Sequence, residues 1–580
     1  MRWRGVLLKG PMGSRDLSRL LAVARGDQPA DVVLSGGRVL SVFTREWLGG
    51  DVAVVDGVVA GVGDYDGRER VDLGGRFLIP GFIDAHMHFE TPRLLPDEYA
   101  RMVLPQGTTA VVADPHEVAN VLGMDGLDWF MDFCAKLPLD VFFMASSSVP
   151  ASPFESPRHV LGLDELGTLL ERDRVLGLAE MMNFPGVVSG SDHELAKLAL
   201  AGSLHVDGHA PGVVGKGLAA YAAAGISSDH EAFTIAEGID RLRAGMWLLI
   251  REASPARNLD ELLPLLRDYP SARIAFCTDD LEPEDLVGGT IASMVRRAVE
   301  AGVPAEDAIV AATLNAASCH RLRHLGAVAP GCQADLLVLD DLERFEPSTV
   351  LKRGRPVGEI LRPEVPAWVR ESVNIQPITP DTFTVPAQSP QIRVIGLIPN
   401  QIVTDSLVMP PTVTRGEAVA DPERDLAKIA VIERHHATGR AGLGFVHGSG
   451  LRHGAIASTV AHDAHNIIVV GTSDEDMRAA VERLAELHGG IVAIRDRQVL
   501  AECPLPIAGL LSDRAANTVI DEGAACTNAA AALGWTGRAP FMTLSFLALS
   551  VVPNLKITDQ GLIDVVHATI VSLSSTGHDT

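Results

Sequence analysis

His86 and His88 stand two apart at the end of the apolar run FIDAHMH, so in an extended strand both imidazoles point the same way, roughly 6.5–7 Å apart at the backbone. Two neutral imidazoles on one side of a strand form a fork for a metal ion. A lone His-x-His pair is weak evidence, but Glu180, His209, His230 and Asp279 each close a different apolar run. Independent core residues would not sort themselves by run end. Four histidines and two carboxylates exceed one tetrahedral site, and mixed nitrogen and oxygen ligation suits manganese, iron or zinc better than magnesium or copper(I). A pair of divalent ions is therefore expected, with Glu180 bridging them. Coordination brings the pKa of water near neutrality, so the nucleophile is expected to be a hydroxide shared between the ions. Asp279 is then the natural proton carrier between that hydroxide and a leaving nitrogen.

These six residues can act together only if the chain gathers the run ends. From Gly81 onward eight apolar runs end in polar residues: FIDAHMH, TTAVVADPHE, VFFMASSS, VLGLAEMM, LHVDGHAP, ISSDHE, MWLLIREAS and ARIAFCTDD. Stretches of helical period separate them, which is the sequence form of a (β/α)₈ barrel with its site at the C-terminal strand ends. In IASMVRRAVEAG, for example, Ile291, Met294, Val295, Ala298 and Val299 share one face, and Gly302 with Pro304 stops the helix.

The expected fold class is α/β, in five units. Residues 1–30 form an N-terminal extension. A small β-sandwich is built from both flanks of the barrel, 31–78 and 334–375, because glycine-broken strands such as DVVLSGGRVLSVF find a return strand in ADLLVLDDLERF. The barrel occupies 79–333. A linker covers 376–390 within a stretch rich in proline, including Pro363, Pro366, Pro377, Pro380, Pro386 and Pro390. An α+β domain, with HNIIVVG as strand and DEDMRAAVERLAEL as helix, fills 391–580.

A net charge of −25, from 49 basic and 74 acidic residues, repels phosphate backbones and anionic lipid heads, so neither nucleic acid nor membrane is an expected partner. The longest apolar candidates, such as Leu544 to Val552, are too short to span a bilayer. The opening MRWRGVLLKGPMGSRD lacks the apolar core of a secretion signal. Six cysteines without C-x-x-C spacing suit free thiols in a reducing cytoplasm. A soluble, cytoplasmic protein that self-associates into a homo-oligomer is expected.

PGFIDAHMHFE, GLAEMMNFPGVV, VDGHAPG, SDHE and FCTDD resemble the amidohydrolase superfamily, and the resemblance within it is to the adenine deaminases. It covers almost the whole chain. VLPQGTTAVVADPHEVANVLG carries it in the second run, and in the tail GFVHGSGLRHGAIASTVAHDAHNIIVVG, PLPIAGLLSD and PFMTLSFLALSVVPNLKITDQGLIDV do so. What the resemblance implies is hydrolytic removal of the 6-amino group of adenine, giving hypoxanthine and ammonia. The cofactor it implies is a binuclear manganese or iron centre, with zinc a third candidate, and the substrate a small purine base. The implied ligands are His86, His88, Glu180, His209, His230 and Asp279, the residues already picked by position. Glu180 takes the bridging place that a carboxylated lysine holds in cyclic-amide hydrolases.

Adding hydroxide to a purine also requires protonating a ring nitrogen, so a second acid or base must face the substrate. Glu117 is the leading candidate, against a bland reading as a charge in the first turn of a helix, with His116 and Glu90 behind it. Glu90, Ser147 and Asp280 are candidate substrate contacts, although Ser146, Ser147 and Ser148 in one loop more often satisfy backbone groups. Asp114 reads as a cap before the following loop. Arg251 and Glu252 are read first as a pair across the barrel rim, with substrate contact as the other reading.

The family's common Arg-His after the two aspartates is Leu281-Glu282 here, and its later Gly-His is Gly289-Thr290. Both departures are expected near the mouth, where they bear on substrate preference. The tail histidines His435, His436, His447, His453, His462 and His465 are read as domain packing or a loop near the substrate rather than a second metal site. Two alternatives stand beside the main reading: an amidohydrolase acting on another aminopurine or a cyclic amide, and a non-catalytic barrel that only binds.

Overall fold

The computed structural model describes residues 14–575 except 271, 272 and 400. Residues 1–13, on which the reading of the leader rests, and Ala272, which opens the eighth run, lie outside the described residues. The eight runs form eight strands: β1 Phe82–Met87, β2 Thr108–Ala113, β3 Asp140–Ala145, β4 Val175–Met181, β5 His205–Gly208, β6 Ser228–Asp229, β7 Trp247–Arg251 and β8 Ile274–Cys277. Neighbours pair in parallel as two arcs, β1 to β5 and β6 to β8. The arcs meet where the Ser227 N–H donates to the Val206 carbonyl at 2.9 Å and where the Asp279 N–H donates to the His86 carbonyl at 2.9 Å. β1 to β4 are buried along their whole length, as parallel strands covered by helices must be. One apolar cluster joins Ile83, Ala110, Phe142, Leu176, Leu249 and Ala275. A cluster drawn from six strands fills the barrel interior, leaving the polar run ends at its mouth.

Among the helices, α1 (His116–Cys134) follows β2 directly, and α2 (Ile291–Glu300) buries Ile291, Met294, Val295 and Ala298 and stops before Gly302, whose φ is +89°. A third, α3 (Asp474–Glu486), belongs to the C-terminal domain; there the Ser473 hydroxyl accepts from the Asp476 N–H, and three acidic residues occupy the first turn, where the helix dipole favours them.

The sequence flanking the barrel folds into two facing sheets. Strands 30–35, 51–55, 58–63 and 67–72 make one; strands 38–41, 46–49 and 77–80 join 336–339, 347–352 and 355–356 in the other. Leu336–Leu339 runs antiparallel to Phe77–Pro80, and Val32 and Val52 pack against Leu78 and Leu336 between the sheets. Residues 357–390 are mainly without regular strand or helix, apart from short 3₁₀ turns at Ala367–Arg370 and Pro380–Phe383.

The C-terminal domain is built on an eight-stranded sheet of β9 Ile392–Leu397, β10 Thr404–Met409, β11 Leu426–Ile432, β12 Ala441–His447, β13 Ala455–Ser458, β14 Ile467–Gly471, β15 Gly490–Arg495 and β16 Gln498–Pro504. Their order is β10-β9-β12-β11-β14-β13-β15-β16, with only β9 and β12 parallel. This domain sits on the barrel mouth: the Ser512 N–H donates to the Arg93 carbonyl at 2.8 Å, and the Ala516 N–H donates to Glu98 Oε2 at 3.0 Å. All six cysteines are free and buried, and no described helix is long and apolar enough to cross a membrane.

Candidate metal centre

The six ligand candidates meet at the mouth. His86 Nε2 and His88 Nε2 lie 3.2 Å apart. Glu180, on β4, stands between two imidazole pairs. Its Oε1 is 3.2 Å from His88 Nε2 and 3.8 Å from His86 Nε2, while its Oε2 is 2.8 Å from His209 Nδ1 and 3.5 Å from His230 Nε2. Asp279 Oδ1 closes the first pair at 3.2 Å from His88 and 3.5 Å from His86. All are buried except His209, which is partly so.

The outer faces of the rings fix what the inner faces offer. His86 Nδ1 is 2.8 Å from Asp207 Oδ2, and His88 Nδ1 is 3.1 Å from the Asp114 carbonyl. A carbonyl or carboxylate oxygen only accepts, so both Nδ1 atoms carry hydrogen and the neutral rings present lone pairs at Nε2. Two lone pairs 3.2 Å apart, with Glu180 and Asp279 oxygens beside them, repel unless a cation lies among them. This donor set fits a divalent metal. The same field appears in the acid–base balance. Burial would push His86 and His88 down, but Asp207 and Glu180 with Asp279 outweigh it and hold both well above the ordinary imidazole range, so that a proton takes the cation's place on Nε2 when no metal ion is bound. Burial would raise Glu180, yet His209 and His88 hold it well below the carboxylate range.

Arg251 organises the other side of Asp279. Its guanidinium donates to Asp279 Oδ2 at 2.7 Å and grips both oxygens of Glu231. The expected rim pair with Glu252 is not formed: Glu252 takes Arg297 instead, because β7 directs Arg251 inward over the site. Burial opposes the charge on Asp279, and Arg251 with His86 and His88 overcomes it, holding the carboxylate well below its usual range. Glu231 Oε1 stands 3.5 Å from His209 Nδ1 and from His230 Nε2.

Glu117 lies in the first turn of α1, fully buried, with neither oxygen hydrogen-bonded. Burial and the neighbouring Glu90 push it well above the carboxylate range, which makes it a protonated acid. Glu90 takes the Val118 N–H at 3.0 Å on Oε1 and leaves Oε2 unpaired. His116 packs edge-on against His88 at 4.8 Å between ring centres. The Ser147 hydroxyl donates to the Glu180 carbonyl at 2.6 Å, and that of Ser146 to Asp114 Oδ1 at 2.6 Å. Asp280 accepts from the Thr91 hydroxyl at 2.5 Å. Asp114 caps nothing: Pro115 is the residue before α1, no side chain caps it, and Asp114 is spent on Ser146 and, through its carbonyl, on His88.

Of the two departures, Glu282 is at the mouth, 3.5 Å from Arg93. Thr290 is not: its hydroxyl is 3.3 Å from that of Thr108, the first residue of β2, at the opposite end of the strand from the ligands. The tail histidines divide as well. His462 Nε2 and His465 Nε2 approach Glu117 at 3.7 and 3.4 Å, whereas His435 Nε2 is tied to the Ala464 carbonyl at 2.6 Å inside its own domain.

Three residues were not singled out in the sequence. Asp207 shares strand parity with His209 and Glu231 adjoins His230, signals that were legible there. For Asp463, whose Oδ1 is 3.6 Å from His116 Nε2, the sole signal was its place between His462 and His465.

The amidohydrolase family model matches residues 77–357, and a model described as "Adenine deaminase C-terminal domain" matches 401–569. "Adenine deaminase 2" of Carboxydothermus hydrogenoformans is 45% identical over 568 residues, covering 97% of this chain and 100% of that protein. The adenine deaminase of Methanothrix thermoacetophila is 46% identical over 554 residues, 94% of this chain and 97% of its own. That of Brucella anthropi is 43% identical over 554 residues, 95% and 98% respectively.

Proposed function

The chain belongs to the adenine deaminase family of amidohydrolases, and from that premise we propose that it hydrolyses adenine to hypoxanthine and ammonia at the cluster around Glu180. The observation that carries this reading is one carboxylate shared by two imidazole pairs, with Oε1 3.2 Å from His88 Nε2 and Oε2 2.8 Å from His209 Nδ1. His86, His88 and Asp279 would hold one divalent ion and His209 and His230 a second, with Glu180 common to both. Manganese or iron suits this nitrogen and oxygen set. When bound, such a pair supplies Lewis acidity that makes water nucleophilic near neutral pH.

The protein side chains manage the protons. Arg251 pins Oδ2 of Asp279, so Oδ1 is the atom turned toward the reacting centre. Asp279 accepts a proton from the attacking water and returns it to the departing nitrogen of the 6-amino group. Glu117, kept protonated by burial, donates to a ring nitrogen as C6 becomes tetrahedral; that proton stays as the ring N–H of hypoxanthine, and the second proton of the water, lost as the C6 carbonyl forms, restores Glu117. The balance is adenine plus water going to hypoxanthine plus ammonia. The test is ammonia release from adenine by protein loaded with manganese or ferrous iron without oxygen, with metal counted in parallel. Turnover with two ions per chain is expected; two ions and no turnover would overturn the substrate.

A further inference from the structure

Polar atoms without partners at the mouth come from both domains. Glu90 Oε2, both oxygens of Glu117, both oxygens of Asp463 and Nε2 of His465 are buried and make no hydrogen bond. Buried polar atoms are almost always paired, so several unpaired ones facing a single place mark a site whose pairing a ligand completes.

The residues from the C-terminal domain lie on the loop between β13 and β14, and that domain itself aims them. The Arg434 guanidinium donates to the carbonyls of His465, Ser372 and Ala508 behind the loop. The Ala461 N–H donates to His465 Nδ1 at 3.1 Å, so His465 carries its hydrogen on Nε2, which faces Glu117 Oε2 at 3.4 Å. The His462 N–H is held by the Ser545 hydroxyl at 3.1 Å, and its ring lies edge-on to Phe546 at 4.8 Å. Asp463, 1% exposed, points Oδ1 toward His116 Nε2 at 3.6 Å, and the His116 ring in turn packs edge-on against His88. Burial opposes its charge, but His116 outweighs burial and keeps it ionised. A cavity lined by Thr91 and Glu282 from the barrel and by Val460, Phe541 and Ser545 from the C-terminal domain lies at the same seam.

We propose that Asp463 is a substrate-binding residue: the β13–β14 loop forms one wall of the purine site, and the Asp463 carboxylate accepts an N–H of the base. This inference rests on the adenine reading. Adenine offers N–H groups only at its exocyclic amine and its imidazole ring, and an ionised carboxylate is an acceptor with nothing to donate. His462 and His465 are positioning residues in this arrangement, turning Glu117 toward the same base. The C-terminal domain is thereby part of the site and not merely its cover.

The test compares full-length, metal-loaded wild type with Asp463→Asn and Asp463→Ser, through metal content, the steady-state constants for adenine, and thermal unfolding with and without saturating hypoxanthine. Loss of one charge-assisted hydrogen bond is expected to raise KM for adenine about 10- to 100-fold. The rise in Tm that hypoxanthine gives the wild type should shrink, while metal content and the ligand-free Tm stay near wild type. A purely structural role would lower the ligand-free Tm and leave both KM and the hypoxanthine-induced rise in place; that result, or two variants indistinguishable from wild type, overturns the proposal. The second variant serves if the first does not fold. Wild type that neither deaminates adenine nor is stabilised by hypoxanthine brings down the adenine reading and this inference with it, whereas an active wild type beside unaffected variants brings down only the inference.

Discussion

Among the described residues of the barrel, metal-binding residue types cluster at the C-terminal ends of the strands and again at the start of β5. In the second, His205, Cys319 and His320 offer ligand atoms within 4.8 Å of one another, all fully buried. Their Nε2 atoms are already in use: that of His205 is 2.8 Å from the Ser228 hydroxyl, and that of His320 donates to the Ala85 carbonyl at 2.7 Å. The Ser228 hydrogen goes to Asp207, so His205 must be the donor to Ser228. No carboxylate stands among the three, and burial pushes His205 down to about 3 and His320 to about 4. At the mouth, burial is just as complete, yet Glu180, Asp279 and Asp207 reverse its effect on His86 and His88. Proximity of imidazoles is common to both clusters. Carboxylates converging on the imidazole nitrogens distinguish the mouth, and these are what draw a cation.

Replacing Glu180 with alanine attacks the contrast where it is sharpest. It removes the carboxylate shared by both imidazole pairs, and several kcal/mol of transition-state stabilisation should go with it, on the order of a 10³-fold fall in kcat/KM together with loss of bound metal. Retention of two ions and activity in that variant would erase the distinction between the clusters. Asp279→Asn is expected to lower kcat by about 10²- to 10⁴-fold while most metal remains, because the amide keeps the shape but cannot take the proton. Metal analysis beside steady-state rates separates this from a ligand loss. Arg251→Met frees Asp279 Oδ2 and leaves Glu231 buried without its cation; a 10- to 100-fold loss of activity or metal affinity, roughly what removal of a ligand's supporting partner brings, is expected. The smallest effect on catalysis belongs to the interior cluster. His320→Leu strands the Ala85 carbonyl, so chemical denaturation should register a loss of about 1–3 kcal/mol. Metal content and kcat should hold, and a lost ion would mean that the interior cluster also binds metal.

Much of the barrel was legible because its strands announce themselves twice, as apolar runs and as runs with polar ends. Glu180, His209 and Asp279 could be assigned to one site from their run ends, since a barrel leaves few other places for such residues to meet. Gly289-Thr290 was misplaced for a related reason: a loop residue has no strand period to locate it, and Thr290 lies beside Thr108 at the far end of β2. Arg251 was assigned to its neighbour Glu252 on adjacency, although successive strand residues point to opposite faces.

The sequence by itself determined which six candidate ligands would converge, the order of the strands and the fit of the flanking strands into one unit, because each follows from local period and from residue types that tolerate few surroundings. Only the tertiary structure decided which carboxylates Arg251 would hold, 20 and 28 positions away, and that His462, Asp463 and His465 would face Glu117. The first contacts depend on how neighbouring barrel strands bring their ends together and the second on how the C-terminal domain meets the barrel, and nothing in the local period of either segment encodes those distances.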